Sequence, residues 1–229
     1  RRNAALTEAP NQGGHVLVIG DSMNVRGRHR LTMQTPGATS VEAVDLKDLV
    51  SFAHRFDLGS PDALRVLAEF ASSLMTGVGT ANLLTRVETI RGGRARTPAM
   101  PAESAAVAFM EAPSYMSSID LLQVLADQPD ARVYRPEVMH CCISALRAAG
   151  GEGGFIDAAI QARERNRHMG RPLGRRAVGS TLLLKGLEAD VAVILEPERM
   201  TAQHLYVALT RGARRVVVCS STPLLTPVV

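Results

Sequence analysis

The sequence contains no tryptophan, and aromatic residues make up 3% of its 229 positions. Single-strand binding surfaces that stack bases draw on several aromatic side chains, so a surface of that kind is not expected. Cysteine is scarce: there are three, two of them adjacent at Cys141 and Cys142. They offer neither a disulfide framework nor a zinc-ligand spacing, which points to a reducing, cytoplasmic setting. No apolar run reaches the roughly 18 residues of a membrane-spanning helix, and no signal-peptide pattern opens the chain. Two phosphate-handling motifs are also missing. There is no Gly-x-x-x-x-Gly-Lys-Ser/Thr loop, and no Asp-Glu pair follows an apolar strand as a magnesium site requires. The chain begins at Arg1 rather than Met, as a piece of a longer protein would.

What is present suffices for a core. Apolar residues make up 46% of the chain, ample at this length without disulfides. The formal charge is +4, carried mainly by clustered arginines. A basic excess favours polyanionic partners such as nucleic acid. One cluster, Arg163 to Arg176, holds six arginines and a histidine; it reads either as a phosphate contact or as a solvated helix face with a basic connector. The Cys141-Cys142 pair reads as packing within a helix.

His15 to Ile19 has the content of a buried strand, ending at Gly20-Asp21. Residues 24–39 read as a basic loop with Arg26, Arg28, His29 and Arg30, and 41–44 as a short strand. Helical spacing is present over 45–56, and Ser60-Pro61-Asp62 supplies the start of a helix running to about Met75. The pattern weakens from 77 to 101, where Arg91 to Arg96 reads as a flexible loop. Helices follow over 102–111, 118–127 (capped by Ser117 or Ser118), 136–149 and 155–169, with a short strand at 132–134 and a glycine-rich connector at 150–154. Ser180–Leu184, Val191–Leu195 and Arg215–Cys219 read as strands, with a helix over 201–209. Strands alternating with helices imply an α/β fold with a parallel sheet flanked by helices. The chain divides into a strand-containing part (1–60), a mainly helical section (61–170) and a C-terminal motif segment (171–229).

Two polar clusters stand beside the last strands. Lys185-Gly186-Leu187-Glu188 precedes Val191–Leu195, and Tyr206-Val207-Ala208-Leu209-Thr210-Arg211 precedes Arg215–Cys219. A lysine before a glycine at a strand–loop junction can bring an ammonium near phosphate, and a nearby carboxylate can accept from a sugar hydroxyl. An arginine at a helix end facing a cleft can stabilise a transferring phosphoryl group; the same arginine can instead serve the helix C-terminal carbonyls. Tyr206, Val207 and Thr210 lie at i, i+1 and i+4, which would put them on the buried face of that helix.

Together, in this order and about 20 residues apart, the two clusters resemble the last two motifs of superfamily 1 helicases of the UvrD/Rep type. The resemblance covers roughly the last 50 residues. It implies a RecA-like domain, the C-terminal motor domain of an ATP-dependent DNA helicase or translocase. Arg211 would be the arginine finger reaching the γ-phosphate of ATP, and Glu188 would contact the ribose. Lys185 and Gly186 would line the nucleotide cleft. Ser180 or Thr181 would stand where the family has a threonine on the single strand, with Arg175 and Arg176 beside it. Leu182 stands where the family often has a histidine, Ala189 replaces a common phenylalanine, and Thr201 to His204 lack the family's charges. ATP and Mg2+ would be bound only together with a first motor domain carrying the phosphate loop, so the chain alone is expected to be inactive. The partners implied are that domain and single-stranded DNA. Val16 to Asn24 can echo another family motif, making 1–60 either a remainder of the first motor domain or the start of the second; it reads equally well as an ordinary strand ending in a Gly-Asp turn. The alternative overall reading is a helicase-like binding or regulatory module without motor activity.

Overall fold

The computed structural model describes residues 14–150, 153–168 and 174–228. It resolves the chain into two compact units, one of residues 1–42 with 171–229 and one of residues 43–170. The break thus follows Glu42 rather than residue 60, and the first strand shares a sheet with the C-terminal segment.

The first unit is built on a five-stranded sheet: β1 (Val16–Gly20), β2 (Ala38–Ser40), β5 (Arg176–Ser180), β6 (Ala189–Leu195) and β7 (Gly212–Cys219). Their order is β2-β5-β1-β6-β7, and every pairing is parallel. Helix α1 (Val25–Gln34) connects β1 to β2, and α9 (Ala202–Leu209) connects β6 to β7. Strands covered on both faces must be apolar at every position, and Val16 to Ile19 and Ala192 to Ile194 are each at most 1% exposed. Leu31 of α1 packs with Val16, Val18, Val178 and Val193 on one face. Leu205 and Ala208 of α9 pack with Leu17, Ile19, Ala192 and Ile194 on the other. This parallel sheet flanked by helices is an α/β arrangement consistent with a RecA-like fold. Among the described residues no helix is long and apolar enough to cross a membrane.

Several elements differ from the sequence expectation. Residues 25–34 are α1, not a loop. Asn24 caps it by accepting the N–H of Gly27 at 2.8 Å. Arg28, in the middle of the basic stretch, is 8% exposed and donates to the carbonyls of Asp21 and Ser22. Four basic residues in six therefore hid a helix whose buried face includes an arginine. The neighbouring strand lies at 38–40, upstream of 41–44, because small residues fit it under α1. The chain also leaves β5 at Ser180, where a strand over 180–184 was expected. Leu184 folds back, its N–H donating to the Ser180 carbonyl at 3.0 Å and its side chain packed over Gly179.

The second unit carries α2 (Lys47–Arg55), α3 (Ala63–Ser72), α4 (Thr80–Arg91), α5 (Pro101–Glu111), α6 (Tyr115–Ala126), α7 (Pro136–Ala148) and α8 (Gly154–His168). A small antiparallel pair, β3 (Met75–Thr76) and β4 (Arg132–Val133), completes it. All five phenylalanines lie here, and Phe52 stacks on Phe70 at 4.0 Å between ring centroids, on Phe56 at 4.9 Å, and edge-on to Phe155. Arg135, 3% exposed, pairs with Asp48 at 2.7 Å. Cys141 and Cys142 are buried packing residues, and burial pushes the Cys141 thiol up to about 11, far from a reactive thiolate. Helix α4 fills the stretch where the pattern was weak. The cap of α6 is Ser114, not Ser117 or Ser118: Ser114 and Ser117 exchange side-chain-to-backbone bonds at 3.0 Å. Ser60 binds the Asp62 N–H in the turn before α3 instead of capping it. Part of the 150–154 connector, Met169 and Arg171 lie outside the described residues.

Candidate functional site

In a parallel sheet all strands begin at one edge and finish at the other, so the expected site residues sort by edge. Lys185 to Glu188 lead into β6, and Arg211 leads into β7, its neighbour. The two motifs meet at the amino edge. The Arg211 guanidinium donates from Nη1 to the Leu187 carbonyl at 3.1 Å, from Nε to Val207 at 3.0 Å, and from Nη2 to Thr210 Oγ1 at 3.0 Å. The Ala189 N–H returns a bond to the Arg211 carbonyl at 3.1 Å. Three of the five guanidinium N–H groups are thus used, leaving one on each terminal nitrogen for an outside acceptor.

Two glycines make this junction possible. Gly186 has φ +84°, the left-handed region that lets the loop reverse before Leu187. Gly212 follows Arg211 where a Cβ would lie 2.4 Å from the Arg215 carbonyl oxygen and 3.1 Å from the Ala192 nitrogen. Only glycine lets β7 start this close to β6. Lys185 and Glu188 are exposed, and neither makes an ion pair among the described residues. The junction therefore shows solvent a guanidinium, a carboxylate and an ammonium from two segments.

Helix α9 buries Leu205 and Ala208, not Tyr206 and Thr210. Tyr206 is 70% exposed and is the only aromatic residue of the sheet unit. Its neighbours Leu205 and Ala208, three apart, take the core stripe, which leaves the tyrosine outside.

The expected single-strand contacts are divided. Arg175, exposed, and Arg176 stand at the amino edge before and within β5; Arg176 donates to the Pro36 carbonyl at 2.8 Å. Ser180 and Thr181 stand at the carboxyl edge, about 15 Å away along a five-residue strand. They are 4% and 2% exposed. Ser180 Oγ accepts the Leu183 N–H at 3.4 Å, and the buried Thr181 hydroxyl has no hydrogen-bond partner among the described residues. Leu182, in the family's histidine position, is 64% exposed.

The carboxyl edge holds a feature that the motifs did not reveal. The β1–α1–β2 and β6–α9–β7 connections leave on opposite faces, and where such connections diverge the strand ends open into a crevice. A pocket of about 270 Å3 lies there, lined by Gly20, Asp21, Asn24, Arg28, Glu196 and Cys219 among others. Burial lowers the Arg28 pKa, opposed by Asp21 and Glu42. Glu196 has φ +51°, strained for a residue with a side chain. The signal in the sequence was Gly20-Asp21 followed by the Asn24 cap, which marks a strand end turning into a helix.

Beyond Glu196, the Glu198 carboxylate binds the Ser220 hydroxyl and the Ser221 hydroxyl at 2.7 Å and the Ser221 N–H. These donors hold its pKa down at about 2. A depressed carboxylate favours the bound tail above its ordinary pKa and loses that contribution as pH falls toward the bound value. We expect the amide signals of Ser220 and Ser221 to hold steady above about pH 5 and to move between the ordinary carboxylate range and about 2. Movement centred at the ordinary value would show that the clamp does not form.

Compared with known proteins, the chain matches no family model, and its sequence matches no curated protein.

Proposed function

We propose that the chain is the C-terminal motor domain of an ATP-dependent DNA helicase or translocase. In this reading Arg211 supplies positive charge to the transferring phosphoryl group, Glu188 accepts from the ribose, and Lys185 and Gly186 line the nucleotide cleft. The observation that carries it is the bond from Arg211 to the Leu187 carbonyl. Through residues 24 apart it joins the two motifs into one polar cluster at the amino edge of a parallel sheet. A guanidinium held in place by three bonds is preorganised, as stabilisation of developing charge requires.

The residues present fit one side of ATP only. The chain has no phosphate loop and no carboxylate pair for Mg2+, so the phosphates and metal belong to a first motor domain. Arg175 is the expected residue best exposed for a DNA phosphate, and Ser180 and Thr181 would need the turn after β5 to open. The missing phosphate loop is also what favours the second reading, a nucleic-acid-binding or regulatory module without motor activity.

The test is ATP turnover with single-stranded DNA, measured for the chain alone and for the chain together with its first motor domain. We expect no turnover by the chain alone and DNA-stimulated turnover by the pair. Robust hydrolysis by the chain alone would contradict the half-site, and an inactive pair would favour the module.

A further inference from the structure

Strand β7 ends the sheet, and among the described residues no strand pairs with its outer edge. Beyond an irregularity at its start, the regular ladder from Arg215 to Cys219 offers an edge of roughly 16 Å. Exposed edges are usually blunted by proline, lysine, inward charges or a covering element. Val216 to Cys219 carry no such side chain. All four are half-buried, Val217 and Cys219 against one core and Val216 and Val218 against the other. The edge is therefore apolar above and below its open backbone.

The two ends of β7 carry opposite charge. Arg214 and Arg215 are exposed in its first half, and the Arg214 side chain is 76% exposed even beside Asp190. At its far end Glu196 and Glu198 line an open pocket of about 630 Å3 together with Arg199 and Val217 to Ser221; Arg199 reaches Glu196 at 3.6 Å, and the two carboxylates leave this end net negative. A strand cationic at one end and flanked by carboxylates at the other complements itself when reversed. An isologous two-fold contact needs such self-complementarity.

We propose that the β7 edge pairs antiparallel with the β7 edge of a second copy of this chain, joining two five-stranded sheets into one. With the two-fold axis at Val217, which then lies opposite its own copy, Arg215 falls opposite Cys219 and Arg214 opposite Ser220, each pair on one face of the joined sheet. Both arginines then lie beside the other copy's Glu196 and Glu198. The Arg214–Asp190 contact at 3.3 Å is solvent-exposed, so exchanging it for a contact across the axis costs little.

Sedimentation equilibrium of the 229-residue chain over a range of concentrations tests the pairing. A reversible monomer–dimer equilibrium is expected. Charge reversal at one end (Arg214→Glu with Arg215→Glu) or at the other (Glu196→Lys) should each weaken the dimer about tenfold or more, because each puts like charges together twice. Combining both sets in one chain should restore the dimer to near its original strength. Val217→Lys, which places a charge on the open edge, should abolish it. Far-UV circular dichroism checks that each variant is folded, and the self-association of the unaltered chain needs no variant at all. A chain that stays monomeric at every accessible concentration overturns the proposal. So does a dimer indifferent to the charge reversals, or an edge that takes up an extended peptide from another protein but never a second copy.

Discussion

If the proposed role holds, Arg211→Ala in the chain joined to its first motor domain should lower DNA-stimulated ATP turnover on the order of 10³-fold or more, the range for losing an arginine finger. Two consequences of the substitution can be told apart. The guanidinium provides charge, and it also fastens the end of α9 to the loop before β6 through Val207 and Leu187. Loss of the fastening alone would loosen Glu188 and raise KM for ATP. Loss of the charge in the transition state would lower kcat with a small change in KM. We expect the second pattern to dominate. Arg211→Lys keeps the charge but lacks the planar fork, so it should recover only a small part of the rate. DNA binding measured without nucleotide should be unchanged by either substitution. Turnover retained by Arg211→Ala would sink the proposed role.

Phe52→Ala should destabilise the helical unit by about 3–5 kcal/mol, the cost of removing a buried aromatic ring and leaving a cavity. Phe52 is fully buried and touches three other rings, with Phe70 stacked on it at 4.0 Å. Seven of the nine α-helices among the described residues belong to this unit, so far-UV circular dichroism reports mainly on it. Urea unfolding should show a lower midpoint with an unchanged slope, the sign of lost stability without a changed denatured state. A loss below about 1 kcal/mol would mean that Phe56, Phe70 and Phe155 close over the gap, a repacking well outside the usual cost of such truncations.

The C-terminal strands were legible because burial on two faces demands unbroken apolar runs, and Val191 to Leu195 has no other good reading. Helix α9 was legible as an element but not in its orientation. Tyr206 and Leu205 are both large, and only the three-residue step from Leu205 to Ala208 decides which faces the sheet. Helix α1 was hidden by its charges, since pattern reading gives a buried arginine no way to count as core. Arg28 is buried because two carbonyls at the end of β1 accept from it. Strand β5 was displaced for a related reason: Leu182 to Leu184 look more strand-like than Arg176 to Ser180, yet only Leu184 of the three is fully buried. At the candidate site, motif order suggested that the 185–188 loop and Arg211 share a cleft, but the bond from Arg211 to the Leu187 carbonyl was not legible. The separation of Arg175 and Arg176 from Ser180 and Thr181 was not, because neighbours in sequence stand at opposite edges once a strand runs between them.

The order of the strands has a consequence for how the chain acquires its structure. Ala38 in β2 pairs with Arg176 in β5, and Val16 in β1 with both Arg176 and Val191. The helical unit, residues 43–170, is threaded between partners that adjoin in the sheet. During synthesis β1 and β2 emerge first but have no neighbour to bond until residues after 176 appear. The helical unit, one continuous stretch with a core of its own, can assemble in the meantime. Once formed, it replaces a long floppy loop with a compact body and reduces the chain entropy lost when the sheet closes. The sheet is thus assembled last, from its two ends.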